Sequence, residues 1–425
     1  MDARDIKQPE APRTRWRRDG LGLGRDVGLL FWAHLFSGAA FAVQATLWTL
    51  FIRSLGANPQ QIGAVVGGAA IVRTVLAVPA GSLVDRLSPK PIIVAASILP
   101  VVGTVIFIAA TEWWHALAGA LLLETSGLAI PAMSAYIAAA TSEEGRTRAY
   151  TYVYTLSTQV GLTIMPVFGG LLAEWIGFRA VYVVSGLLFA VAIGFFGRIT
   201  NHRPVGHRDN DDDDGIERPG YRQLLQLPGV WVVVTFHLLV PLLPFIAIAL
   251  LPNFLNEERG LSYATLGLLG SIGSAVGLGM SLLVSHWRPL GRPFFGMGVC
   301  LGLIATGLGL FLSSGVFVVI VIAYILRCSM GSVWSLLAAA VADVTPERLR
   351  GRAFGLCELG AGAGDIGAPL VAGSLYDADP RLPLWVGLLT TAPLAMSALI
   401  VHHLRARLIP SAIRADTTTE GGAAA

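Results

Sequence analysis

Glu143-Glu144-Gly145-Arg146-Thr147-Arg148-Ala149 returns 204 residues later as Glu347-Arg348-Leu349-Arg350-Gly351-Arg352-Ala353, with the glutamate, both arginines and the alanine in register. Apolar stretches match one another through composition alone, but charged loop residues at a fixed spacing do not. The chain therefore reads as a duplication. Gly63 meets Gly267 at the same offset. With the offset shortened by one or two residues, Gly161, Pro166 and Gly170 meet Gly364, Pro369 and Gly373, and Arg86, Lys90 and Pro91 meet Arg288, Arg292 and Pro293.

What is duplicated is a set of membrane spans. Of the 425 residues 54% are hydrophobic and only 13% charged, and the mean hydropathy is +0.66, whereas soluble domains carry roughly 25% charged residues. Apolar segments near the roughly 20 residues that cross a bilayer recur along most of the chain. They predict twelve helices at 27–53, 60–84, 91–111, 114–140, 148–172, 179–198, 228–254, 262–285, 293–313, 316–341, 352–375 and 383–403. The expected fold is an all-α membrane protein of two pseudo-symmetric six-helix bundles. Its divisions are a tail (1–26), an N-terminal bundle (27–198), a linker (199–227), a C-terminal bundle (228–403) and a second tail (404–425). The linker holds Asp211 to Asp214, prolines and arginines, a composition that stays solvated and flexible.

Positive charges near span ends resist translocation. The N-terminus, the even-to-odd loops, the linker and the C-terminal tail carry 24 of the 30 Lys and Arg residues, while the opposite loops hold only Arg53, Arg179, Arg259 and Arg381. Both termini are thus expected in the cytoplasm, with the chain multi-pass in the cell membrane. The net charge of +3 is dispersed over short loops and forms no stripe suited to nucleic acid. Cys300, Cys328 and Cys357 lack metal-ligand spacing and read as packing residues, so no cofactor or metal is expected. No Gly-x-x-x-x-Gly-Lys-Ser/Thr loop supports ATP hydrolysis.

Between the second and third spans the chain reads Gly81-Ser82-Leu83-Val84-Asp85-Arg86-Leu87-Ser88-Pro89-Lys90. This resembles the Gly-x-x-x-Asp-Arg-x-x-x-Arg/Lys signature of the major facilitator superfamily, and Pro346 to Ala353 resembles that family's connection between helices 10 and 11. The resemblance covers nearly the whole chain. It implies twelve helices, alternating access, and a cytoplasmic latch formed here by Gly81, Asp85, Arg86 and Lys90, with Glu347, Arg350 and Arg352 in the second half. Trp287 stands where the second copy would need its aspartate, so that latch is degenerate. Gly161 and Pro166-Val167-Phe168-Gly169-Gly170 partly match the helix 5 signature of the family's drug antiporters, but Met165 and Tyr152 depart from it. Tight packing of helix on helix at Gly161, Pro166, Gly169 and Gly170 accounts for them equally well.

Ionisable residues inside spans cost roughly 3 kcal/mol or more and are functional candidates by default. Arg73, Glu124, His237, Arg327, Glu358 and Asp365 qualify. The repeat puts Arg327 one position from the counterpart of Glu124, so the two lie at equal depth in helices 10 and 4, which flank the central cavity in the resembled fold. Either Glu124 exchanges a proton while Arg327 holds an anionic group or stabilises the charged acid, or the two form a static salt bridge. Glu358 and Asp365 are seven apart and share a helix face. In the resembled fold helices 2 and 11 meet, so Asp365 is expected to pair with Arg73, while Glu358 lies near the solvated end. His34 and His237 occupy the first helix of each half, either as proton carriers or as hydrogen-bonding packing residues. Gln44, Gln159 and Trp48 are expected along a cavity, Trp48 alternatively in an interfacial aromatic belt. Pro241 and Pro244 should bend helix 7.

The expected function is secondary active transport of a small solute by a functional monomer in the lipid bilayer, with protons as coupling ion and export as the first direction considered. Uptake of a sugar, nucleoside or organic acid is the alternative, and a membrane-embedded transferase a remote one.

Overall fold

The computed structural model describes residues 23–201 and 221–408. Among these the regular elements are helical. The twelve long ones are α1 (Arg25–Ala45), α2 (Pro59–Arg86), α3 (Pro89–Ala109), α4 (Trp113–Ala140), α5 (Gly145–Trp175), α6 (Phe178–Gly197), α7 (Gly229–Glu257), α8 (Tyr263–His286), α9 (Pro293–Ser313), α10 (Phe317–Val344), α11 (Arg350–Ala378) and α12 (Leu382–Leu408). Ten are long and apolar enough to cross a membrane. The other two, α2 and α11, run 28 and 29 residues at the positions where the sequence predicts the second and eleventh spans. Of the linker, Tyr221–Leu225 is a short helix with Leu224 fully buried, so its end is packed rather than flexible; the acidic run and both tails up to residue 22 and from 409 lie outside the described residues.

The repeat reaches into the turns. Gly56 and Gly260, 204 residues apart, both adopt positive φ (85° and 66°) in the turns leading to α2 and α8, where a side chain would be strained. Two residues later Asn58 and Ser262 cap those helices, accepting from the amides of Gln61 and Thr265.

Four helices are interrupted at corresponding places. The helix of α1 stops at Ala45 and resumes as Trp48–Ser54, and that of α7 stops at Ile248 and resumes at Leu251. In α4 a 3-10 segment, Thr125–Leu128, follows Glu124; in α10 the helix stops at Arg327 and restarts at Met330. At the last two breaks local side chains compete for backbone carbonyls, Thr125 donating to Leu122 and Ser329 to Leu326. In α7 the helix is continuous through Pro241 and Pro244, and its break lies further on, at Ala249 and Leu250. Pro252 explains the position, because its ring clashes with the carbonyl four residues back and disfavours helical backbone just before it. Nothing in the sequence of α1 explains its break.

The N-terminal six helices pack together, as do the C-terminal six, and two seams join the halves: α2 against α11 and α5 against α8. Glycines bring the seams to backbone contact. A methyl group on Gly63 would run into the carbonyl oxygen of Pro369, and one on Gly267 into that of Pro166. Likewise Gly373 abuts Pro59 and Gly170 abuts Tyr263. Each contact is the image of its partner under the repeat. Gly161 and Gly169 instead press α5 onto the backbone of α1.

Beyond the seams one face is shut by residues that the repeat makes equivalent. Arg53 Nε lies 2.9 Å from Glu257 Oε1, and Asn253 Nδ2 donates to the Thr49 carbonyl at 3.5 Å. Both pairs are 204 apart in sequence. Tyr376 adds a hydrogen bond to Glu257 at 3.0 Å.

Candidate functional site

Between the halves lies a cavity of about 840 Å³, walled by α1, α2, α4, α5, α7, α8, α10 and α11. Three of the four helix breaks contribute residues beside it: Thr46 just after α1, Ala249 in α7 and Cys328 in α10. A break frees the chain from regular spacing and lets charged side chains sit at helix ends. Glu124 and Arg327 are the last residues of their helical segments. From the seams the cavity continues past Gly277, Ser281 and Ser335 toward the face that carries most Lys and Arg.

The charges on its wall are Arg73, Glu124, Arg327 and Asp365. Arg73 is the hub of three of them. Its Nη2 lies 2.8 Å from Asp365 Oδ2 across the α2–α11 seam, and its Nη1 lies 3.9 Å from Glu124 Oε2 within its own half. Half of the Arg73 side chain is exposed, against about a quarter of each carboxylate side chain. The expected Arg73–Asp365 pair forms. The Glu124–Arg327 salt bridge does not: the carboxylate of Glu124 is taken by Arg73. Arg327 instead stacks its guanidinium 4.3 Å from the centroid of the Tyr324 ring, and its buried Nε has no hydrogen-bond partner among the described residues.

The α5–α8 seam carries a neutral link three residues along each helix from the counterparts of the Arg73–Asp365 ion pair. Gln159 Nε2 donates to the Ser274 carbonyl at 2.7 Å, and both residues line the cavity. Trp48 also lines it, packed edge-on against Phe107, so it belongs to the cavity rather than to an interfacial belt. Gln44, expected along the cavity, and the two span histidines lie elsewhere. Gln44 is buried between α1 and α6, bonded to Ala40 and Ser185. His34 meets Ser157 at 2.9 Å, and His237 turns its Nδ1 to the Val233 carbonyl one turn back. Each of these makes its hydrogen bonds within its own half, away from the cavity, and the buried Gln44 Oε1 has no partner among the described residues.

At the face rich in Lys and Arg the expected latch is only partly described. The side chains of Gly81, Asp85 and Arg86 lie outside the described residues. Lys90 does not bridge the halves: its Nζ donates to the Ile199 carbonyl at 2.7 Å, fastening the α2–α3 turn to the end of α6. Glu347 and Arg350 are exposed at the start of α11, and Arg352 is half-buried. Sequence reasoning missed Arg53, Glu257, Asn253 and Ser274. The first three carried a signal, since Arg53 with Glu257 and Thr49 with Asn253 stand at the repeat offset itself.

Two helical bundles related by an internal repeat, with a charged cavity on the pseudo-symmetry axis, define a membrane carrier. The chain matches the Major Facilitator Superfamily over residues 30–356 and again over 245–411, and it belongs to that family. It is 26% identical over 83% of its length to a multi-drug resistance efflux pump PmrA homolog of Lactococcus lactis, covering 88% of that protein. It is also 28% identical over 36% of its length to the inner membrane transport protein YajR of Escherichia coli, and 25% identical over 57% to the MFS-type transporter YuxJ of Bacillus subtilis; these matches span 33% and 63% of those proteins. Among solved structures, the nucleoside transporter NupG superposes with a TM-score of 0.73 at 13% identity, covering 88% of this chain and 99% of that one. A bacterial homolog of the lysosomal transporter Spinster, in an inward-facing unoccupied conformation, gives 0.68 at 14% identity over 88% and 94%. The protein is therefore a multi-pass membrane transporter, and the transferase reading falls, because members of this family are transport proteins and not enzymes.

Proposed function

We propose that this protein exports a small organic solute from the cytoplasm in exchange for protons, as a monomer of twelve spans in the cell membrane, with α2 and α11 as the two spans beyond the ten apolar ones. The excess of Lys and Arg on one face orients that face, both termini and the linker to the cytoplasm. The cavity then opens inward, and the Arg53–Glu257 face is the closed external gate.

The observation that carries the reading is the Glu124–Arg73–Asp365 cluster, which is both exposed to the cavity and strung across a seam that must slide when access alternates. Two carboxylates share one guanidinium: a proton taken by Asp365 removes the charge that holds Arg73 to the other half, whereas one taken by Glu124 leaves Arg73 wholly to Asp365. A proton on Asp365 is thereby converted into a looser α2–α11 seam, and one on Glu124 into a tighter one. Similarity to the PmrA homolog of L. lactis and to a multidrug resistance protein MdtG of Enterobacter lignolyticus, 27% identical over 44% of this chain, supports export.

The test is flux of a lipophilic fluorescent dye in proteoliposomes under an imposed pH gradient. Wild-type protein moves the dye only with the gradient; Asp365→Asn and Glu124→Gln lose that dependence while retaining dye exchange at equal concentrations. Wild-type flux indifferent to the gradient, or full gradient response in both variants, overturns the proposal.

A further inference from the structure

The four cavity charges sum to zero but are shared unevenly. Arg73 stands between Glu124 and Asp365, while no carboxylate of the described residues lies within ion-pair distance of Arg327. The wall thus carries one net negative cluster and one separate cation. A guanidinium in the hydrocarbon layer normally finds an acid or water. Here it finds an aromatic ring, and a buried Nε is left without a partner. A ring face offsets part of the cation's desolvation but accepts no hydrogen bond in the plane of the fork.

We infer that the transported solute carries one anionic group on an apolar body, and that Arg327 is the residue that binds the anion. The inference rests on the transport reading of the same cavity and adds the solute's class to it. Arginine presents its donors in a planar fork that matches carboxylate, sulfonate or phosphate oxygens two at a time. The Tyr324 ring lies 4.3 Å from the guanidinium carbon and holds the head group at the cavity wall. The apolar body is accommodated by Trp48, Leu162, Phe245 and Leu278, which line the same space. Glu124 cannot neutralise Arg327 without leaving Arg73, so the anion site stays available while the proton site is occupied or empty. The two sites are chemically separate: the proton cluster of Glu124, Arg73 and Asp365 spans the α2–α11 seam, while the anion site, Arg327, belongs to the C-terminal half alone.

The experiment is isothermal titration of purified full-length protein in detergent, with no gradient. The probes are 2-naphthoate and naphthalene-2-sulfonate, with 2-naphthamide and 2-naphthylmethylamine as neutral and cationic counterparts. Both anions should bind, and the amide and amine about ten- to a hundredfold more weakly, the value of a charged hydrogen-bonding partner. Arg327→Gln should abolish the preference and Arg327→Lys should keep part of it. Should Arg327→Gln fail to fold, the probe series on wild-type protein and Arg327→Lys still decides. Equal binding of amine and anion, unchanged anion binding in Arg327→Gln, or no binding of either anion to wild-type protein overturns the inference. Anion binding through Arg327 without gradient-driven flux sinks only the coupling proposal, and gradient-driven flux indifferent to Arg327→Gln sinks only this one.

Discussion

The two seams between the halves are built alike and charged differently. In both, a glycine on one helix abuts a proline carbonyl on the other, and a second glycine abuts the first turn of its neighbour. Beside the cavity, the polar link where α2 crosses α11 is an ion pair, Arg73 with Asp365, and where α5 crosses α8 it is the neutral Gln159 to Ser274 bond; at the far end of the second seam Glu174 accepts from the Tyr263 amide at 2.8 Å. The repeat puts Leu162 opposite Asp365 and Gly277 opposite Arg73. Duplication therefore supplied both seams, and later divergence placed the titratable groups of the cavity on one of them. Under the proposed exchange mechanism that seam is the one protons act on.

The comparison is broken most severely by Arg73→Met, which leaves Glu124 and Asp365 without their shared cation. Gradient-driven flux in proteoliposomes should fall to the level of empty vesicles, whereas altering the other seam should not do this. Next come Gly63→Val and Gly267→Val. Forcing a side chain against backbone should lower stability by about 1–3 kcal/mol in each case, equally for both seams, read as the drop in thermal unfolding temperature. A large inequality would show that the seams are not mechanical equals. Gln159→Leu should cost about 0.5–1.5 kcal/mol, one neutral hydrogen bond, and should slow flux while preserving its response to the gradient. The smallest effect belongs to Arg53→Ala at the shut face: an exposed ion pair contributes about 0.2–1 kcal/mol, and the loss measured by thermal unfolding should shrink as salt is added.

The sequence carried the helices, their duplication and four cavity charges, because hydrocarbon solvent and repeated loop chemistry both leave unambiguous marks. It carried the Arg73–Asp365 pair only through the family resemblance that brings helices 2 and 11 together. The Glu124–Arg327 pairing failed for a definable reason. A repeat offset reports depth along two equivalent helices but not which neighbour is nearer, and Arg73 on the adjacent α2 reached Glu124 first. Gln44 was misplaced by the same limit, since polarity inside a span does not say where the partner lies, and Ser185 bonds it away from the cavity; the bonds of His34 to Ser157 and of His237 to Val233 fit the packing alternative stated for both histidines. The helix breaks were illegible apart from Pro252, since Thr125 and Ser329 only become helix-looseners once their hydroxyls are seen bonding backwards. The pairs Arg53 with Glu257 and Thr49 with Asn253 were legible and overlooked, as residues on a two-fold axis must face their own images.

The four interrupted helices also bear on leakage. Unbroken rods rocking on a central pivot would open one mouth as they close the other, and at the midpoint a continuous water thread could join the two compartments. A rod jointed within its length, near the middle in α4 and α10 and toward the Arg53–Glu257 face in α1 and α7, lets its two arms lean inward at separate times. Both mouths can then be shut together around the cargo, and the electrochemical gradient is not short-circuited while the cargo changes sides.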